Sequence, residues 1–347
     1  MQRCPMTRPV IVPFFISHQG CPHRCVFCDQ ERIAGRAGRL PSAAEIHSAV
    51  KTFGRGRPVE AAFYGGTFTS LPRNEQERLL AALQPLRHDG SVRSVRLSTR
   101  PDALDAETAG FLKSMGVASV ELGVQSMDDQ VLDVSGRGHS AADTVRAFDV
   151  LRSEGIAVGA QLMPGLPGDS RERSLDSLTR ILDLKPVSLR IYPTLVVAGT
   201  RLAEFWAEGS YTPLTLADAV PLCADMLLAC KRAGVPVIRL GLQPTDILER
   251  SVLAGPWHPA LRQLVEGELW YRLLERLTTG LAAGTVVSVA CAPARISDVV
   301  GQRRVNLSRL LERRGIVVTG VAGCPTAAPD TLTLTHAGGT VAGSLTD

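Results

Sequence analysis

Gly20-Cys21-Pro22-His23-Arg24-Cys25-Val26-Phe27-Cys28-Asp29 follows directly on the apolar run Val10 to Ile16, and its cysteines fall in a CxxxCxxC spacing. Thiolates this close in sequence can face one cubane cluster from a single loop. Iron–sulfur clusters ordinarily take four cysteines, so three leave one iron without a protein ligand and open to a reactant. Cys21, Cys25 and Cys28 are therefore candidate ligands of a [4Fe-4S] cluster. A structural zinc ion could instead take the cysteines with His18 or His23, although zinc sites usually arrange their ligands as two separated pairs and no second pair follows. A disulfide framework calls for an oxidising compartment, which 8 cysteines in 347 residues and no clean export signal do not suggest. A lipoprotein signal needs small residues ahead of Cys21, where His18 and Gln19 stand.

The loop sits at the end of a first strand, Val10 to Ile16. Downstream, β-branched apolar runs alternate with helical stretches, the pattern of βαβ units feeding a parallel sheet. Strands are expected at Glu60 to Tyr64, Val92 to Thr99, Ser119 to Gln125, Ala157 to Met163 and Val187 to Tyr192. Helices are expected at Ala43 to Phe53, with Ser42 as N-cap, and at Arg73 to Leu86, Glu107 to Met115, Ala141 to Glu154 and Glu172 to Leu184. The result is an α/β fold, a partial (β/α)6 barrel short of the eight units that close one. The polar motifs fall at strand ends, where β/α barrels carry their chemistry. Gly65-Gly66-Thr67 closes the second strand, and glycine lets a main chain approach a ligand closely. Ser98, Gln125 and Arg137 stand at or beyond strand ends. Gln161 lies inside an apolar strand, where a buried amide needs a partner. Tyr192 reads as a structural hydrogen-bonding residue rather than an acid or base.

At 45% apolar content the chain can bury a sizeable core. No apolar run approaches the roughly 18 residues of a bilayer span, so no membrane partner and a cytoplasmic location are expected. A reducing compartment suits Cys4, Cys223, Cys230, Cys291 and Cys324 as buried or idle thiols. The net charge of +4 falls short of a charge-driven nucleic-acid binder and leaves polyanionic substrates open. The core is expected to span 1–242. Residues 243–347 read as a small C-terminal α+β module, with a helix at Pro259 to Leu277 and strands at Thr285 to Ala290, Ile316 to Val321 and Thr331 to Thr335. In it, Val300-Gly301-Gln302-Arg303-Arg304 resembles a KH-type RNA clamp whose second glycine is Arg304, hence a degenerate one. Arg295, Arg303, Arg304, Arg309, Arg313 and Arg314 are candidates for a phosphate-contacting face, a solvated basic helix being the commoner use of such residues.

The CxxxCxxC loop with Phe27 just before its last cysteine resembles that of the radical S-adenosylmethionine (SAM) superfamily. The resemblance implies that the open iron chelates the amino and carboxylate groups of SAM, and that an electron from an external donor splits the sulfonium to give a 5'-deoxyadenosyl radical. It implies further that Phe27 lies near the adenine and that Gly65, Gly66 and Thr67 hold the SAM amino group, Thr67 standing where the family has an acidic residue. Gln125 and Arg137 become candidates for the ribose and carboxylate, with Ser98 and Gln161 as further contacts. Glu121-Leu122-Gly123-Val124-Gln125-Ser126, Arg137-Gly138-His139, Met163-Pro164-Gly165-Leu166-Pro167, Tyr192-Pro193-Thr194-Leu195-Val196 and Arg100-Pro101-Asp102 are similar to the radical SAM half of the Elongator catalytic subunit, as far as about Tyr211. That likeness implies tRNA as partner and a carboxymethyl-type modification of the wobble uridine through a radical derived from acetyl-CoA. The Elongator subunit has a wider gap between its first two cysteines. After Leu242 no glycine-rich acetyl-CoA loop follows, so the acetyltransferase domain is expected to be missing. Two other functions stay open: a radical reaction on a small molecule, and a non-catalytic haem or cofactor carrier related to oxygen-independent coproporphyrinogen oxidase.

Overall fold

Seven parallel strands form one sheet in the computed structural model, which describes residues 10–21, 25–29, 32 and 39–347. Arg3, Cys4, Arg8 and His23 lie outside the described residues. In chain order the strands are β1 (Val10–Phe15), β2 (Val59–Tyr64), β3 (Val92–Thr99), β4 (Val117–Gln125), β5 (Ala157–Leu162) and β6 (Ser188–Ile191). A two-residue strand β7 (Val196–Val197) leaves the sheet, and β8 (Val237–Leu240) returns to pair parallel with β6. β9 (Val252–Ala254) pairs antiparallel with β7. Among the described residues the sheet is open, with β1 and β8 at its edges, so the six expected β/α units form a partial barrel with a seventh strand added.

The strands alternate as their period of two requires. On β4, Val120, Leu122 and Val124 are buried, while Glu121, Gly123 and Gln125 face a cavity. On β3, Val95 and Leu97 are buried against Arg96 and Ser98, and on β6, Leu189 and Ile191 are buried against Arg190. Removing each such Val, Leu or Ile from water contributes about 1.5–3 kcal/mol and fixes the register, because a one-residue slip would exchange the two faces. The inner face is thus polar, unlike the closed barrel, which packs branched apolar side chains there.

Helices cover the apolar face. Ser42 caps Ala43–Gly54 in a reciprocal box with Glu45, as expected. The expected helix Arg73 to Leu86 instead divides into Arg73–Ala81 and Gln84–His88. Pro85 has no N–H to continue the ladder and its ring crowds the carbonyl four residues back, so the helix restarts around it.

The chain divides into two compact units, Met1–Pro213 with Val237–Gly255, and Leu214–Pro236 with Pro256–Asp347. The helix Leu216–Arg232 belongs to the second unit and β8 to the first. In the second unit, β10 (Val286–Cys291), β11 (Val317–Gly323), β12 (Thr331–His336) and β13 (Gly339–Ser344) make a sheet in the order β11-β10-β12-β13. The helix Leu261–Leu277 buries Trp270 and Tyr271. Between β10 and β11, the helices Ile296–Val300 and Val305–Arg314 meet at Gly301–Arg304, where Gly301, Arg303 and Arg304 take φ of 74°, 53° and 65°. Asn306 Nδ2 pins this turn by donating to the carbonyls of Gly267, Asp298 and Val299. The expected basic face is narrower than its sequence. Arg309 pairs with Glu268 at 2.8 Å over the ring of Tyr271, and Arg295 pairs with Asp298, whereas Arg303 and Arg304 are exposed. No helix among the described residues is long and apolar enough to cross a membrane.

Candidate functional site

The start of the cysteine loop is tied to the sheet through its backbone. His18 N–H donates to Gly65 O, and Thr67 N–H to Gln19 O, both at 3.1 Å. The approach is so close that a Cβ on Gly20 would stand 2.5 Å from Thr67 O, and one on Gly66 2.5 Å from Ile16 O. Only glycine fits either place. Gly65 O and Thr67 N–H thus brace the loop. The second half of the loop hangs from elsewhere: Val26 N–H donates to Ser135 O at 3.1 Å, and Leu202 N–H to Val26 O at 2.8 Å. Val26 and Phe27 are buried with Val131, Leu166, Val196 and Leu202.

Cys21, Cys25 and Cys28 line one cavity of about 920 Å3 at the strand ends, together with Phe27, Gly65, Gly66, Thr67, Ser98, Gln125, Arg137 and Gln161. The cavity thus brings together the three cysteines and the eight candidate SAM contacts, whereas the basic residues of the C-terminal module do not line it. Burial and the neighbouring Cys25 push the Cys28 thiol up to about 12, with Cys21 adding to the rise and Arg137 opposing it, so the thiols feel one another. Among the described residues no three His, Cys, Asp or Glu side chains converge tightly enough for a single ion. Zinc needs four ligands in one coordination sphere, whereas a cubane offers a separate iron to each sulfur. Three thiols lining one cavity suit a cubane, while His23, a candidate zinc ligand, lies outside the described residues.

Two guanidinium groups stand behind these sulfurs. Arg137 Nη1 lies 3.4 Å from Cys25 Sγ, and Arg100 Nη1 lies 3.9 Å from it. Both arginines are buried. Arg100 is held by Asp102 through two bonds of 2.9 and 3.0 Å and donates to Arg137 O; Arg137 donates to Gly123 O. His139 packs beside them. Burial first, then Arg137 and Arg100, bring its imidazole down to about 3, so it is neutral near neutral pH.

Gln125 sits at a bulge where β4 shifts register against β5, with φ 71°. Bulges re-aim side chains, and here the amide meets Gln161, whose Nε2 donates to Gln125 Oε1 at 3.1 Å. That bond supplies the partner Gln161 requires. A Cβ on Gly123 would come within 2.9 Å of Gln125 Nε2 and 3.0 Å of Arg137 Nη2, so the missing side chain makes room for both.

A charged network that the sequence reading missed runs along the inner face of the sheet, and its members Glu121, Arg190, Tyr64 and Tyr192 line the cavity. Arg96 bonds Glu60 twice at 3.0 Å and Glu121 at 2.7 Å. Arg190 pairs with Glu121 at 2.6 Å and donates to the hydroxyls of Tyr64 at 3.1 Å and Tyr192 at 3.0 Å. Burial would lower both arginines, but Glu121 and Tyr64, together with Glu60 beside Arg96 and Tyr192 beside Arg190, outweigh it and hold them above their usual range. Burial pushes Tyr64 up to about 12, keeping its phenol protonated. Each phenol accepts from Arg190, which leaves its own proton to donate. The available signal was the alternation itself: Arg96, Glu121 and Arg190 occupy inward positions where a packed core would want apolar residues.

A parallel partial barrel with three thiols at its strand ends and a polar interior has the make-up of an iron–sulfur enzyme rather than of a packed structural barrel. The sequence profile of the radical SAM superfamily matches residues 15–181, that of the Radical_SAM C-terminal domain matches 186–271, and the chain belongs to this superfamily. It is a radical SAM enzyme, of a family that implies a [4Fe-4S] cluster and SAM. It is 29% identical over 309 residues to the tRNA uridine(34) acetyltransferase of Methanocaldococcus jannaschii, covering 77% of this chain and 56% of that protein. It is 30% identical to human Elongator complex protein 3, covering 59% of this chain and 41% of that one. The chain thus spans about half the length of these relatives. Among solved structures, archaeal Elp3 of Methanocaldococcus infernus matches with a TM-score of 0.61 at 23% identity, covering 77% of this chain and 62% of that one, and shares the fold.

Proposed function

We propose that this chain cleaves SAM reductively at a [4Fe-4S] cluster and directs the resulting radical at an RNA, with a tRNA uridine as target. The observation that carries the reading is the single cavity shared by the three thiols and the eight candidate SAM contacts. The names of the relatives support the choice of tRNA. Cys21, Cys25 and Cys28 would hold the cluster. A reduced cluster with an open iron supplies the electron that breaks the sulfonium bond, a step whose difficulty belongs to the cofactor. The protein's own part is placement. Phe27 gives the adenine an apolar wall, Gly123 leaves room beside Gln125, and Gln125 with Gln161 and Ser98 offers donors and acceptors to the ribose. Arg137 serves the SAM carboxylate with whatever N–H capacity Cys25 and Gly123 leave. The phenols of Tyr64 and Tyr192 donate towards a substrate carbonyl in the cavity.

Anaerobic reconstitution with iron and sulfide, followed by dithionite and SAM, should give four irons per chain and 5'-deoxyadenosine. Added tRNA should raise that yield and acquire a new mass at one uridine. Deoxyadenosine that never responds to RNA would shift the reading to a small-molecule substrate. A haem absorbance band without SAM cleavage would make the protein a carrier.

A further inference from the structure

Arg100 is the least explained charge near the thiols. It is 3% exposed and chelated by Asp102, yet its Nη1 faces Cys25 Sγ from the side next to Arg137. A guanidinium that only braced the Arg100-Pro101-Asp102 turn could have pointed anywhere along the chain. Here it is locked towards one sulfur by two bonds to Asp102 and a third to Arg137 O. Burying such a group is costly unless a negative charge or a set of acceptors receives it, and Asp102 offers a countercharge at one end of the fork. His139, packed beside the pair, is neutral near neutral pH and contributes no charge. The open side of the pair is therefore positive and faces the thiol.

We infer that Arg100, backed by Arg137 and moderated by Asp102, is a positioning charge that sets the reduction potential of the cluster bound at Cys25. The inference rests on the cluster reading above. Three thiolates on a cubane carry net negative charge, and reduction adds one more. A buried positive charge a few ångströms from one sulfur favours the reduced state, because low local dielectric makes the attraction strong. Arg137 alone cannot be assigned this part cleanly, since it is also a candidate contact of SAM. Arg100 lies outside the set of candidate SAM contacts, which makes its effect separable.

The test is a redox titration of the reconstituted protein, followed by the optical or EPR signal of the reduced cluster, without SAM. Arg100→Gln should lower the midpoint, cutting the ratio of reduced to oxidised cluster at fixed potential about tenfold, equivalent to ~59 mV for one electron. Arg100→Lys, which keeps the charge, should recover most of the shift. Asp102→Asn should move the midpoint the other way, because it removes the countercharge and leaves the guanidinium in place. A structural role predicts no such reversal of sign. Iron per chain should match wild type in all variants. If Arg100→Gln fails to fold, Asp102→Asn still decides. A loaded wild type with midpoints unchanged in Asp102→Asn and in whichever Arg100 variants fold overturns this inference alone. A wild type that takes up no four-iron cluster overturns the cluster reading, and this one with it.

Discussion

Arg137 Nη1 stands 3.4 Å from Cys25 Sγ across 112 residues of chain. The contact joins the segment after β4 to the cysteine loop after β1, and it places a buried positive charge beside one of the three candidate ligand sulfurs. Loop and guanidinium therefore form one unit whose purpose is visible only when both are in place.

Cys25→Ala should abolish the cluster. Iron per chain after anaerobic reconstitution should drop to background, and no 5'-deoxyadenosine should form. Unchanged iron and unchanged product would show that Cys25 is no ligand.

Gly123→Ala should crowd Gln125 and Arg137, whose nearest atoms lie 2.9 and 3.0 Å from the new methyl. Overpacking of this kind costs about 1–3 kcal/mol. The SAM concentration giving half-maximal cleavage should rise about tenfold, with the cluster intact; a wild-type value would separate Gly123 from the SAM site.

Glu121→Gln should destabilise the barrel by about 3–5 kcal/mol, because it leaves Arg96 and Arg190 partly buried without their shared carboxylate. Tyr192→Phe removes one neutral partner of Arg190 and should cost about 1 kcal/mol. Urea denaturation of the two variants measures the difference, and equal midpoints would count against the network.

His139 gives the cluster-free protein a pH dependence of known sign. Its folded value of about 3 lies below the ordinary 6.5. As pH falls, the unfolded chain takes up the proton first, so the stability from this residue is full above about 6.5 and is lost as pH drops towards 3. Between pH 7 and 5 the loss should be about 1–2 kcal/mol. His139→Asn should lessen the loss in urea titrations at those two pH values; parallel behaviour of both proteins would refute the assignment.

Arg303→Glu with Arg304→Glu should weaken tRNA binding and lower its dependence on log salt by about two, while SAM cleavage without RNA stays as it was. Equal affinities in a filter-binding series would remove the second unit's turn from RNA recognition.

The sequence disclosed whatever local spacing can encode. CxxxCxxC marked the loop proposed to hold the cluster, because three thiols on one short segment have few other uses. The period of two located six strands to within a residue or two, since burying one face of a strand imposes that pattern, and Ser42 announced a helix start as an N-cap, to which the structure adds Glu45. β8 escaped notice because the four residues Val237–Leu240 offer too short an alternation.

Tertiary structure decided what depends on partners distant in the chain. That Arg100 and Arg137 share one sulfur, that Gln161 finds Gln125, and that Glu121 joins Arg96 to Arg190 are consequences of neighbouring strands coming into register. Each of those side chains has an ordinary local context, and only sheet pairing determines which charges meet. The sequence by itself thus settled the chemistry that could be housed, and the folded sheet settled the electrostatic setting around it, because Coulomb interactions follow distance in space and not separation along the chain.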